Sequence, residues 1–119
     1  DIIKLSVEEL EMISEGRGTE FLFEKGVRLA LVTDGDKGAT LCFKGEKAHI
    51  PAIKAKTVDT TGAGDIFLGT FVSEFIKKGE TLDELSFDDA INFTQKAVFI
   101  SGKSTEKYGA IASISDVII

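Results

Sequence analysis

Cysteine and histidine are almost absent: Cys42 and His49 each stand alone among 119 residues. A lone thiol excludes an intrachain disulfide, and this pair excludes a Cys/His zinc cluster. A reducing cytoplasm fits. A basic excess is missing too. Twenty acidic residues face 14 basic ones, for a net charge of −6, so the chain lacks the positive charge on which nucleic-acid and anionic-membrane binders depend. No run approaches the roughly 18 to 20 apolar residues of a membrane span, and no basic-then-apolar leader opens the chain. It reads as soluble. At 43% hydrophobic, the length supports one globular domain with a modest core and leaves no room for two. The chain starts directly on "DIIKLS" without an initiator Met, which reads as a segment of something longer.

Along the chain, "DIIK" predicts a strand and "SVEELEMISEG" a helix opened by Ser6, with Glu9 three residues on and Gly16 near its end. "TEFLFEKG" predicts a second short helix closing at Gly26. "VRLALVT" has the apolar run of a buried strand, "DGDKG" is a turn, and "ATLCFK" and "KAHIPA" are further strands. That order favours an α/β sheet, parallel at first and antiparallel at its margin. After Pro51 a loop leads to a helix over about 64 to 78, in which Phe67, Phe71, Phe75 and Ile76 recur at helical spacing and are expected to face the sheet. A last helix follows "SFDD", where Ser86 and Asp89 make a capping-box-like start. Ile91, Phe93, Ala97, Val98 and Ile100 supply its apolar side, and "GKSTEKYGA" breaks the pattern. No internal repeat, low-complexity tract or interdomain linker appears.

The stretch "VDTTGAGDIFLGTF", residues 58 to 71, sets Gly62 and Gly64 around Ala63 and follows them with Asp65. A helix start offers unpaired NH groups and the positive end of the dipole, so it attracts anions. A phosphate-binding P-loop would need a Lys in register after the glycines, and none follows. The dinucleotide fingerprint would need glycine where Phe67 stands. A Gly-Ala-Gly turn remains, whose NH groups converge on one anion with a carboxylate in the first turn, a geometry suited to phosphoryl transfer. There a carboxylate takes the proton of the attacking hydroxyl while backbone neutralises charge. Asp65 equally suits a plain dipole-complementing cap, worth roughly 0.5 to 2 kcal/mol.

These residues resemble a known family. "DTTGAGD", Asp59 to Asp65, is similar to the C-terminal signature of the ribokinase, or pfkB, carbohydrate kinases, D-T-x-G-A-G-D followed shortly by Phe. "KLSVEE" resembles the family's K-x-N-x-x-E element, with Ser6 where most members carry Asn and fructokinase-like members often carry Ser. "TDGDKGA" resembles T-x-G-x-x-G, with Asp34 in place of an apolar residue, and "KYGA" resembles the K-x-G-A loop beneath the adenine. Each stretch also has an ordinary structural reading: a capping box for Ser6 and Glu9, and a glycine-containing hairpin turn for Gly35 and Gly38. A calcium loop starting at Asp34 fails, because Gly38 takes the third ligand position and no Glu stands at the twelfth.

The resemblance implies a Rossmann-like, three-layer ribokinase-type α/β fold, of which residues 1–119 form the nucleotide-binding and catalytic-base portion. The sugar-binding and lid portion, the missing N-terminal half, lies elsewhere. It implies Asp65 as base and Gly62, Ala63 and Gly64 as the anion hole. Lys4, Ser6 and Glu9 would lie near the phosphates and the Mg2+ water shell, Thr33, Gly35, Gly38, Gly109 and Ala110 against the nucleotide, and Asp59 near a monovalent cation. ATP, Mg2+ and a small sugar, fructose before ribose, 2-keto-3-deoxygluconate or a nucleoside, are the expected ligands. A homodimer of the parent is a further expectation, and nucleic acid and membrane are not expected partners. The adenine-facing residue of the last helix stays unassigned, because "TQKAVF" does not align. His49, Cys42 and Tyr108 are expected to be structural or solvent-facing. A rival reading is a noncatalytic nucleotide-binding module or a structural fragment whose sheet pairs with a partner chain; strand 1 or its neighbours are expected to expose an unpaired apolar face if an N-terminal half is missing.

Overall fold

The computed structural model describes residues 1–53 and 62–104. Four strands, β1 (Ile2–Ser6), β2 (Leu29–Thr33), β3 (Ala39–Phe43) and β4 (Glu46–Ile50), form one sheet in the order β1-β2-β3-β4. β1 and β2 are parallel, and β2, β3 and β4 are successively antiparallel. The expected parallel-then-antiparallel sheet is therefore present. α1 (Val7–Ser14) and α2 (Thr19–Glu24) make the connection between the parallel pair, which a tight turn cannot make. α3 (Ala63–Lys78) and α4 (Phe87–Ser104) follow the hairpins. Among the described residues no helix is long and apolar enough to cross a membrane.

The period-2 alternation of β2 splits its side chains between two cores. Leu29 and Leu31 join Leu41, Phe43, Phe67 and Phe71 beneath α3 and α4, whereas Ala30 and Val32 join Leu5, Leu10, Leu22 and Cys42 beneath α1 and α2. The fold thus has three layers. Phe71 is fully buried and meets Phe93 of α4 edge to face at 5.8 Å between centroids, a favoured aromatic geometry. The β3–β4 connection is a two-residue turn in which Lys44 itself adopts φ 53°. Its ammonium is anchored by the carbonyls of Asp83 and Leu85, at 3.0 and 2.6 Å, tying the hairpin to the α3–α4 connection.

Two expectations need correcting. Ile76 does not face the sheet: it is 70% exposed, because the stripe through Phe67, Phe71 and Phe75 already fills the buried arc and Ile76 falls beside it. The last helix does not stop at Gly102. It continues through Ser104, since a single helical glycine costs only about 1 kcal/mol and the glycine gives room for a neighbour. Among the described residues β1 is an edge strand, and α1, which follows it directly, exposes Val7, Met12 and Ile13. Ile2 and Ile3 are half-buried against the two cores.

Urea denaturation checks this packing. Phe71→Ala is expected to cost about 3 to 5 kcal/mol, while Ile76→Ser stays within about 0.5 kcal/mol of the parent.

Candidate active site

β1 and β2 end side by side, with Ser6 paired to Thr33, and the crevice beyond the carboxyl ends of parallel strands is where open α/β sheets bind ligands. A cleft of about 470 Å³ opens there, within the range of small-molecule sites. Thr33, Gly35 and Gly38 form one wall, Ala63, Gly64 and Phe67 of α3 another, and Val98, Ser101 and Gly102 of α4 the end. Two sequence motifs far apart in the chain therefore face one space.

The first wall is a 3-10 turn, Gly35–Lys37, closed by Asp34 N to Gly38 O at 2.8 Å and Lys37 N to Asp34 O at 2.9 Å. Gly38 has φ 102°, and a Cβ there would fall 2.7 Å from Ala52 N and still closer to the Ile50 carbonyl oxygen. Only glycine lets the turn lie against the segment leaving β4.

The second wall is the start of α3. Gly62 is its N-cap at φ 78°, and among the described residues no side chain caps the helix NH groups. Asp65 sits in the first turn, exposed. It makes no hydrogen bond or ion pair among the described residues, so its carboxylate complements the dipole without being committed to a cap. Lys4 reaches the same place from β1: its ammonium nitrogen lies 2.7 Å from where a Cβ on Gly64 would stand. An ammonium beside the positive end of a helix is electrostatically unfavourable unless an anion joins them.

Ser6 and Glu9 stand next to this site as a reciprocal capping box, Ser6 N to Glu9 Oε1 at 2.8 Å and Glu9 N to Ser6 Oγ at 3.1 Å. The Ser6 backbone bond, its hydroxyl and then the Lys4 charge hold the Glu9 carboxyl below its ordinary value. Neither residue lines the cleft. Asp59, Gly109 and Ala110 lie outside the described residues.

Sequence reasoning missed Asp36, Ile53, Ser101 and Gly102, all lining the cleft. For α4 a signal existed: Val98, Ser101 and Gly102 have i, i+3, i+4 spacing and share one face. Gly102 also admits Ile53, whose Cγ1 lies 2.7 Å from a notional Gly102 Cβ.

An open α/β sheet with a glycine-lined cleft, a helix start facing it and an uncommitted carboxylate is suited to holding an anion next to a proton acceptor. The family model of the pfkB carbohydrate kinases matches residues 1–116. The chain belongs to the pfkB family of carbohydrate kinases. Fructokinase-2 of Zea mays is 34% identical over 98% of this chain and 36% of its own length, and the ribokinase of Staphylococcus aureus 35% identical over 96% and 38%. A Thermotoga maritima ribokinase crystal structure has a TM-score of 0.72 at 31% identity, over 95% of this chain and 38% of that one. A Vibrio cholerae fructokinase, solved with fructose, ADP and calcium, has a TM-score of 0.85 at 23% identity over 96% and 37%. The fold is ribokinase-type. The chain spans little more than a third of the length of these relatives.

Two measurements check the walls. Gly38→Ala is expected to lower unfolding stability by about 2 kcal/mol or more, since backbone cannot yield. Gly64→Ala is expected to leave stability unchanged or slightly raised, since only the flexible end of Lys4 must move and alanine favours helix. In a pH titration followed by NMR, Glu9 is expected to titrate below the usual carboxylate range. Ser6→Ala should restore it only in part, because the backbone NH remains. With a folded value below the unfolded one, the Glu9 contribution to stability is present above the unfolded value and is lost as pH falls through the folded one.

Proposed function

We propose that the protein to which this chain belongs transfers the γ-phosphate of ATP to a primary hydroxyl of a sugar. The observation that carries the reading is that one cleft brings together the Gly35–Gly38 turn and the start of α3 at Ala63 and Gly64, with the exposed, uncommitted Asp65 next in the same helical turn. The base and ribose of the nucleotide fit the apolar end between Ala39, Ile53 and Val98, and its phosphates run toward Gly64. In the transfer, the sugar oxygen forms a bond to the γ-phosphorus, the bond from that phosphorus to the β-bridging oxygen breaks, and the hydroxyl proton passes to Asp65. Backbone NH groups of Ala63 and Gly64 face the moving phosphoryl group, and Lys4 adds positive charge from β1.

Glu9 commits Oε1 to Ser6 N and leaves one carboxylate oxygen for solvent, which fits a hydrated Mg2+ carried mainly by phosphates. Bound there, Mg2+ would neutralise phosphate charge. Gly109 and Ala110 as adenine contacts and Asp59 as a monovalent-cation contact remain parts of this proposal that rest on the motif resemblance alone. The sugar is fructose or a related sugar. Support for fructose comes from Ser6, and the relatives include fructokinases, ribokinases and a deoxyribokinase of Salmonella typhi.

The intact protein tests this with ATP and a panel of sugars. Asp65→Asn is expected to lower turnover by about 10²- to 10⁴-fold, the range for loss of a general base, with ATP affinity retained. Turnover near that of the parent would remove Asp65 from the chemistry.

A further inference from the structure

His49 lies on the exposed side of β4, and its imidazole leaves the sheet to reach the cleft turn. Its Nε2 is 2.9 Å from the Lys37 carbonyl oxygen. A carbonyl only accepts, so Nε2 carries the proton, and the neutral ring accepts at Nδ1. There Thr40, its cross-strand partner, offers its hydroxyl at 3.3 Å.

We propose that His49 is a positioning residue for nucleotide binding, bracing the Gly35–Gly38 turn from behind so that its cleft-facing side is set before the ligand arrives. This rests on reading the cleft as the nucleotide site. Within the turn, the closing bonds run among residues 34 to 38 themselves, so they shape the turn but do not fix it to the sheet. The Lys37 carbonyl is held to β4 through His49, and Gly38 lies hard against the segment after Ile50. Bracing matters because Asp36, adjacent to Lys37, is the one charged residue among those described as lining the cleft. A carboxylate that wandered toward the phosphates would oppose them, whereas one held in place does not.

The test uses the intact protein with His49→Ala and His49→Gln, the second supplying an amide NH of similar reach. Without nucleotide, His49→Ala is expected to speed hydrogen exchange at the Lys37 and Gly38 amides while the melting temperature stays put. KM and Kd for ATP are expected to rise about five- to tenfold, the worth of one hydrogen bond, with kcat and the sugar KM unchanged. His49→Gln should restore both readouts. Unchanged exchange, faster exchange without a change in ATP affinity, or loss of kcat in proportion to lost folded protein would each overturn the assignment. If the parent itself binds no ATP, the nucleotide reading fails and takes this role with it, while the exchange data still report whether the brace exists.

Discussion

Close approach at glycine, backbone against backbone at Gly38 and backbone against a side chain at Gly64 and Gly102, is the constraint on which the cleft depends. At Gly38 the turn after β2 lies against the chain leaving β4 with no space for a methyl group. At Gly64 the first turn of α3 comes within reach of Lys4 from β1, and at Gly102 the last turns of α4 admit Ile53. Each close approach removes a side chain where a ligand or a neighbouring segment must come near. Together they draw a turn, two helices and a strand end around one space that larger residues would fill or push apart.

The two cores on either face of the sheet hold these parts in register. Leu29 and Leu31 bind the sheet to α3 and α4, and Ala30 and Val32 bind it to α1 and α2. Because β1 and β2 are parallel, their carboxyl ends fall together, and Ser6 and Thr33 arrive as neighbours. The hairpin from β3 to β4 then returns the chain behind the turn, where His49 and the Gly38 contact can brace it. Surface ion pairs such as Arg17 with Glu24 add little to this, since exposed pairs are worth under about 1 kcal/mol.

Much of this was legible in the sequence, for physical reasons that differ by element. β2 could be read because a strand buried on both faces shows as an unbroken apolar run, and α1 because Ser6 and Glu9 make a reciprocal cap. The Gly-Ala-Gly turn and the later glycine turn could be read as motifs, but their meeting in one cleft could not, since it depends on the antiparallel return of β3 and β4. Ile76 misled because periodicity gives a stripe without its width. The length of α4 misled because Gly102 looks like a helix stop until the Ile53 side chain that needs the space is seen. His49 gave no signal, as a lone histidine on an alternating strand looks the same whether it meets water or a carbonyl.

The most direct measurement is an amide-shift titration of the isotopically labelled intact protein with Mg-ATP. The account predicts saturable shifts at Gly35, Gly38, Ala63, Gly64 and Gly102, with the α1–α2 layer beyond the capping box quiet. Stationary amides at those five glycine and alanine positions, with shifts gathered on α2 or the outer face of α4, would contradict it.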